Sequence, residues 1–262
     1  MLERERQVMI LSQLKQKGFI TVKELVKVLD ASEATIRRDL GLLAKENLVL
    51  RIHGGAELAP LNLPSQSLHV PPKLAEPPLE YRKVQMLAQK KAIAAAAAKL
   101  IGDEETIMID GGSTTFWMAE FLTSHHAQVI TNSFAIAAHL LRHSQNTVIC
   151  AGGVVYPSSE IILNPFENNI FKHYRATKVF LGVRGIDERG ATNSEPVLIQ
   201  TEREMIKQGK ELIVLADSSK FESAGPLLLC GFDKIHTVIT DSGLSEASRI
   251  MVERNHVRLI IV

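Results

Sequence analysis

Six of the chain's ten prolines (Pro60, Pro64, Pro71, Pro72, Pro77 and Pro78) fall between residues 58 and 78, interleaved with Ser65, Gln66 and Ser67. Proline has no backbone N–H and pushes the residue before it out of the helical region, so this stretch continues neither a helix nor a central strand. It reads as an extended, semi-rigid linker over 58–80, which separates a short unit, 1–57, from a long one, 81–262. The 45% hydrophobic and 23% charged residues are those of an ordinary globular chain with enough length to bury a core. Two cysteines, Cys150 and Cys230, make no scaffold and no Cys-x-x-Cys pair, and Cys150 ends an apolar run as a small buried hydrophobe would. The N-terminus is charged from Glu3 onward, and the longest alanine-rich run, 92–98, is too short to cross a bilayer. The expectation is a cytoplasmic protein with no membrane partner.

Within the short unit the organising stretch is Ser32-Glu33-Ala34-Thr35-Ile36-Arg37-Arg38-Asp39-Leu40. Ser32 suits an N-cap, and Glu33 places a negative charge at the positive end of the helix dipole. Ile36, Leu40 and Leu43 form one apolar stripe, which leaves Thr35, Arg37 and Arg38 facing outward. Just upstream, Thr21 with Glu24 makes a capping box, followed by a stripe of Val22, Leu25, Val26 and Leu29. Two short helices joined around Asp30-Ala31 make a helix-turn-helix, whose second helix enters a DNA major groove. An arginine pair on a helix is often only a solvated face; here the flanks argue otherwise. Arg6, Ile10 and Leu14 are evenly spaced on a preceding helix, and residues 48–55 read as two short strands around a turn, a wing carrying Arg51 and His53. Residues 1–57 hold ten Lys/Arg against eight Asp/Glu, a local excess suited to a protein that binds one site as an oligomer and sticks weakly elsewhere. The DNA-contacting candidates are Ser32, Thr35, Arg37, Arg38, Arg51 and His53.

This constellation, Arg6/Ile10/Leu14, then Ser32 to Leu40, then Arg51-Ile52-His53-Gly54-Gly55-Ala56, resembles the DeoR family of bacterial transcription regulators. The resemblance implies operator DNA as a partner.

In the long unit, a helix rich in good formers is expected over 84–100. Beyond it, β-rich runs at 106–110, 129–132, 147–151, 178–181, 212–216, 236–240 and 257–262 alternate with helical stretches at 116–122, 135–141, 197–207 and 245–253. Strands this apolar, separated by helices, require a largely parallel sheet covered on both faces. The expected fold is thus an α/β domain with a mostly parallel sheet, behind an N-terminal winged helix-turn-helix.

Ligands of open α/β sheets bind at the carboxyl ends of strands. There, Asp110-Gly111-Gly112-Ser113-Thr114-Thr115 offers glycines, hydroxyls and a helix N-terminus to an anion; its bland reading is a tight strand-to-helix turn. Asn132 with Ser133, Gly152 with Gly153, and Lys220 in Asp217-Ser218-Ser219-Lys220 end three further strands, Lys220 supplying a point charge for phosphate. No nucleotide P-loop and no Gly-x-Gly-x-x-Gly is present. His139 and His143 are one helical turn apart but lack a third ligand, so no metal or cofactor is expected.

These loops, together with Phe180-Leu181-Gly182 and Gly185-Ile186-Asp187, resemble the DeoR sensor domain, which implies a phosphosugar-binding fold akin to ribose-5-phosphate isomerase. Val183-Arg184 departs from the family's small residues, with Arg184 either an extra anion contact or merely exposed. The family's usual acidic position falls on Leu198, with Glu195 and Glu202 nearby. Asn164-Pro165 and the following helix resemble the ascorbate-utilisation repressor branch. The expected function is a repressor of a sugar-utilisation operon, controlled by a phosphorylated sugar, and because one short recognition helix supplies limited affinity a homo-oligomer, dimer or tetramer, is expected. The competing reading is a sugar-phosphate isomerase with an accessory DNA-binding unit, for which Asp187-Glu188 is the acidic pair placed to act as a base.

Overall fold

The computed structural model of the protein describes residues 3–45, 48–52, 54–58, 76–164 and 169–262. The chain divides at residues 69/70 into two compact units. Most of the proline-rich stretch, and Pro165, lie outside the described residues.

The first unit runs α1 (Glu3–Lys17), β1 (Phe19–Thr21), α2 (Val22–Leu29), α3 (Glu33–Lys45), β2 (Val49–Ile52) and β3 (Gly55–Leu58). The capping box at Thr21 is formed: its Oγ1 accepts from Glu24 N–H at 3.2 Å, and Glu24 Oε2 accepts from Thr21 N–H at 2.9 Å. Ser32 Oγ accepts from Thr35 N–H at 3.2 Å and so caps α3. Ile10 and Leu14 of α1 close over Leu25 and Leu29 of α2 and Ile36, Leu40 and Leu43 of α3 in one core. The wing exists, with β2 and β3 antiparallel, and β1 adds a third strand beside β3. Three residues are too few for β1 to show a period in the sequence.

One contact in this unit has no hydrophobic signature. Asp39, fully buried on α3, accepts from Arg6 Nε at 2.5 Å and Nη2 at 3.2 Å. This bidentate pair fixes α1 against the back of α3.

The second unit opens with α4 (Leu79–Val84) and α5 (Leu87–Ala98), then β4 (Thr106–Ile109), α6 (Ser113–Phe121), β5 (Gln128–Thr131), α7 (Phe134–His143) and β6 (Thr147–Cys150). A hairpin follows, β7 (Val154–Tyr156) and β8 (Ile161–Leu163), and then β9 (Ala176–Gly182), β10 (Gly185–Asp187) and β11 (Gly190–Asn193). The chain ends through α8 (Pro196–Gln208), β12 (Gly209–Leu215), β13 (Leu227–Cys230), β14 (Thr237–Thr240), α9 (Glu246–Arg254) and β15 (Arg258–Ile261). The seven apolar runs read from the sequence are the seven strands of one sheet, ordered β15-β14-β12-β9-β4-β5-β6. Every pairing in it is parallel.

Neighbouring residues of each strand enter opposite layers. Met108, Ile130, Val179, Leu212 and Val238 pack with α8 and α9 on one face. Ile107, Ile109, Val129, Phe180, Ile213 and Ile239 pack with α5, α6 and α7 on the other. Burial on both sides is why the strands read as continuous apolar runs. The sequence did not disclose the β7–β8 hairpin or the small antiparallel sheet β10-β11-β13, whose strands are three or four residues long.

The helix expected over 84–100 is broken instead. Met86 adopts left-handed backbone (φ 51°), so α4 and α5 meet at an angle. Side chains occupy the carbonyls a continuous helix would have used: Trp117 Nε1 donates to Lys83 O at 3.2 Å, and Lys90 Nζ donates to Gln85 O. Residues 76–80, assigned to the linker by composition, are docked on this unit, with Leu79 buried and its N–H donating to Ser158 O at 2.7 Å.

Replacing Asp39 by Ala leaves the Arg6 guanidinium without its buried partner. This should destabilise the first unit by about 3–5 kcal/mol. Hydrogen exchange should show lost protection in α1 to α3, with the sheet of the second unit unchanged.

Candidate functional site

The parallel sheet reverses direction of growth between β4 and β9: β5 and β6 lie on one side of β4, while β9, β12, β14 and β15 lie on the other. Loops leaving the carboxyl ends of the two strands at such a switch point diverge and leave a crevice. A cavity of about 480 Å³ lies there, with Gly111, Gly112, Ser113 and Thr114 from the loop after β4 and Gly182, Val183 and Arg184 from that after β9. The loop after β12 adds Asp217, Ser219 and Lys220.

Asp110 ends β4 with its side chain buried, and its Oδ1 accepts from Asn132 Nδ2 at 2.7 Å. Asn132 also accepts the Gly111 N–H at 2.8 Å, so one amide from the end of β5 sets both residues. A side chain on Gly111 would strike Ile161 of β8, its Cβ lying 2.3 Å from Ile161 Cγ2. Gly112 is the N-cap of α6 in extended backbone, and no side chain caps that helix. The free amides of its first turn therefore remain for an anion.

The sequence-derived ligand residues thus divide. Asp110, Gly111, Gly112, Ser113, Thr114 and Lys220 line the cavity. Thr115 is buried beside it, donating from Oγ1 to Gly112 O at 3.1 Å. Asn132 acts from beneath. Ser133 caps α7, accepting from Ile136 N–H at 3.2 Å, and does not line the cavity. Gly152 and Gly153 follow the edge strand β6 and lead into the hairpin, away from the crevice; Gly153 has φ +149° and lies against Leu163 O.

Arg82, Lys90, Asn193 and Asp217 complete the lining with Arg184 and Glu202. The segment 76–86 forms one wall, where Arg82 Nη1 pairs with Glu76 Oε2 at 2.8 Å. Lys90 is buried, its Nζ 3.5 Å from Asp217 Oδ2, and burial lowers its pKa. A signal for it existed: Lys90 shares the stripe of Ile93, Ala94 and Ala97, an apolar face on which a lysine must find a buried partner. Of the two acidic candidates on or beside α8, Glu202 lines the cavity fully buried; Glu195 is the helix N-cap and does not line it. Leu198 lines it too, as an apolar wall.

Burial pushes the Asp110 carboxyl up to about 7, and burial together with the Asp110 charge raises Glu202 well above the carboxylate range. By contrast Asp187 sits at the β10–β11 hairpin tip, held below its ordinary value by Arg189, whose Nη2 donates to it at 2.7 Å. It does not line the cavity, so the acidic pair Asp187-Glu188 lies away from a substrate bound there.

On the first unit, Ser32, Thr35, Arg37 and Arg38 stand together at the start of α3. Thr35 Oγ1 lies 2.8 Å from Ser32 Oγ, and Arg37 Nη2 pairs with Glu33 at 2.6 Å, both half exposed. A surface pair of this kind is worth under about 1 kcal/mol and yields readily to a phosphate. Arg51 lies in β2, and His53 falls outside the described residues. His139 and His143 touch ring to ring, with centroids 4.8 Å apart and planes tilted by 49°.

A winged helix-turn-helix followed by an α/β unit with a cation-lined cavity is the build of a DNA-binding transcription regulator. Residues 6–60 match the DeoR-like helix-turn-helix domain, and residues 85–242 match the DeoR C terminal sensor domain. The chain belongs to the DeoR family. It is 31% identical to an uncharacterised helix-turn-helix regulator, YulB, of Bacillus subtilis, over 100% of this chain and 98% of that one. It is 28% identical to a putative aga operon transcriptional repressor of Escherichia coli O157:H7, over 98% and 93%. It is also 28% identical to the regulator UlaR of Shigella dysenteriae serotype 1, over 100% of both chains, in accord with the ascorbate-utilisation branch. The protein is a transcriptional regulator rather than an enzyme. No described helix is long and apolar enough to cross a membrane.

The raised carboxyls carry a stability signature. A raised acid keeps its proton when folded and releases it when unfolded, so between about pH 4 and 7 stability falls as pH rises, by at most about 1.4 kcal/mol per unit per group. Asp110→Asn should lose less stability than the wild type between pH 5 and 7.5, as denaturant melts at each pH would show.

Proposed function

We propose that this regulator represses a sugar-utilisation operon in the cytoplasm, and that a phosphorylated sugar in the switch-point cavity controls its grip on operator DNA. The observation that carries this is the uncapped N-terminus of α6 opening into a cavity that Lys220 and Arg184 also line. Backbone amides, hydroxyls of Ser113 and Thr114, and a point charge are what a phosphate group requires. The same cavity is walled by residues 76–86, the first described stretch after the proline-rich segment that leads from the DNA-binding unit. A ligand that favours one arrangement of that wall therefore acts on the end of the tether, and differential affinity for the two arrangements is the switch. The name of the aga operon relative supports repression.

On the DNA side, α3 delivers Arg37 and Arg38 to the major groove. One short helix supplies limited affinity, so a homo-oligomer places paired half-sites about 34–36 Å apart, or a multiple of that.

Three outcomes are expected. Arg37→Ala/Arg38→Ala should weaken operator binding, each base contact being worth about 1–3 kcal/mol; undiminished affinity in a folded double variant sinks the assignment of α3. Release of operator-bound protein, followed by anisotropy, should need about tenfold to a hundredfold more sugar phosphate in Lys220→Ala, and the unphosphorylated sugar should act far more weakly. An equal response to free sugar and phosphate ends the phosphate reading. A fragment spanning 76–262 should sediment as a dimer or larger, and a monomer would remove the oligomerisation role given to it.

A further inference from the structure

Helix α7 buries one apolar face and leaves a second one bare. Ala135, Ile136, Ala137 and Leu140 enter the core, whereas Phe134, Ala138 and Leu141, at i, i+4 and i+7, form a stripe that turns outward. Phe134 is 55% exposed, and Leu141, at 71%, is the most exposed large apolar side chain among the described residues. The surface continues on both sides of the helix. β8 packs against α7, and its hairpin partner β7 adds Val154 and Val155, both exposed. β6, into which α7 leads, is the edge of the seven-stranded sheet, with no strand on its outer side among the described residues. Single exposed apolar side chains mean little, but a stripe continued by a hairpin and flanked by an open strand edge marks an interaction surface.

The charges at the two ends of the stripe indicate what covers it. Glu160 stands at the N-terminal end, its carbonyl accepting from Phe134 N–H at 2.8 Å. Burial and the charge of Glu80 push its carboxyl upward, and Lys83, the cation that bears on it, is paired with Glu80 at 2.5 Å. Arg142, exposed, stands at the C-terminal end. Neither Glu160 nor Arg142 has an ion pair among the described residues. Ala138 lies midway between Phe134 and Arg142, about 6 Å from each along the helix. A twofold axis through Ala138 therefore lays α7 antiparallel on its copy. Phe134 then meets the partner's Leu141, Glu160 meets the partner's Arg142, and the small Ala138 lets the two helices approach closely. A face that is its own complement in both shape and charge meets the condition for an isologous contact between two copies of one chain.

We propose that α7 is the dimerisation helix of this protein, packed antiparallel against α7 of a second copy across a twofold axis at Ala138, with Glu160–Arg142 ion pairs closing both ends. This rests on the reading that the protein is a homo-oligomer, and it adds which surface makes it one.

Cross-linking and sedimentation of the full-length protein test this. In a Cys150→Ser background, Ala138→Cys should form a disulfide-linked dimer under mild oxidation, since the two positions meet on the axis; the background alone, with Cys230 buried, should not. Leu141→Asp should reduce the sedimenting mass to half or to the monomer. Arg142→Glu places like charges together at both ends and should weaken self-association about tenfold or more, and Arg142→Glu/Glu160→Arg should restore it. Recovery in the double variant separates a lost contact from general damage to the fold. If Ala138→Cys does not cross-link, or folded Leu141→Asp keeps the wild-type mass, the face is covered by something else, such as the chain's own first unit or another protein. Either result overturns the role of α7 while the homo-oligomer stands. A wild type that sediments as a monomer removes the homo-oligomer and this inference with it.

Discussion

A parallel sheet cannot leave either face to water, because its crossover connections place helices over both, and every other feature of the second unit follows from that. Val129, Ile130, Phe180, Val214 and Ile239 are wholly enclosed, so polar groups are driven to the strand ends. The carboxyl ends face the helix N-termini, and there Asp110, Asn132 and Asp217 emerge, all buried and all polar. The cavity is the one place along this edge where two adjacent loops part company, between β4 and β9.

Charge of both signs lines the cavity. Lys220, Arg184 and the uncapped α6 stand there with the buried carboxyls of Asp110 and Glu202. Lys90, driven toward its neutral form by burial, is kept beside Asp217 and the carbonyl of Gln85. That carbonyl is free only because Met86 breaks the helix. The kink between α4 and α5, the buried lysine and the cavity wall are thus one arrangement.

The DNA-binding unit is stabilised differently. Its core is small, eleven buried apolar side chains among the described residues, and the Arg6–Asp39 pair ties the first helix to the third across it. Asp39 faces inward while Arg37 and Arg38 on the same helix face out. A rigid back is what lets a short recognition helix present two long side chains in a fixed direction.

Local pattern alone determined much of this protein. Helix stripes, the capping box at Thr21, the N-cap at Ser32 and the seven apolar runs depend only on residues within a turn or a strand of each other, and each appears where the spacing places it. So does the loop from Asp110 to Thr114, since glycines between strand and helix are a local matter. The order of the strands was not legible, because a parallel sheet is joined by long crossovers whose apolar faces fit several arrangements. That order decides which loops meet: it brings Lys220 and Arg184 to the Asp110 loop and carries Gly152 and Gly153 to the edge. Tertiary structure alone also decided that Arg6 pairs with Asp39 and that Glu202, four residues from Leu198 on the same helix, turns its carboxyl into the cavity. Side chains far apart in sequence become partners only when burial removes the water that would otherwise satisfy them.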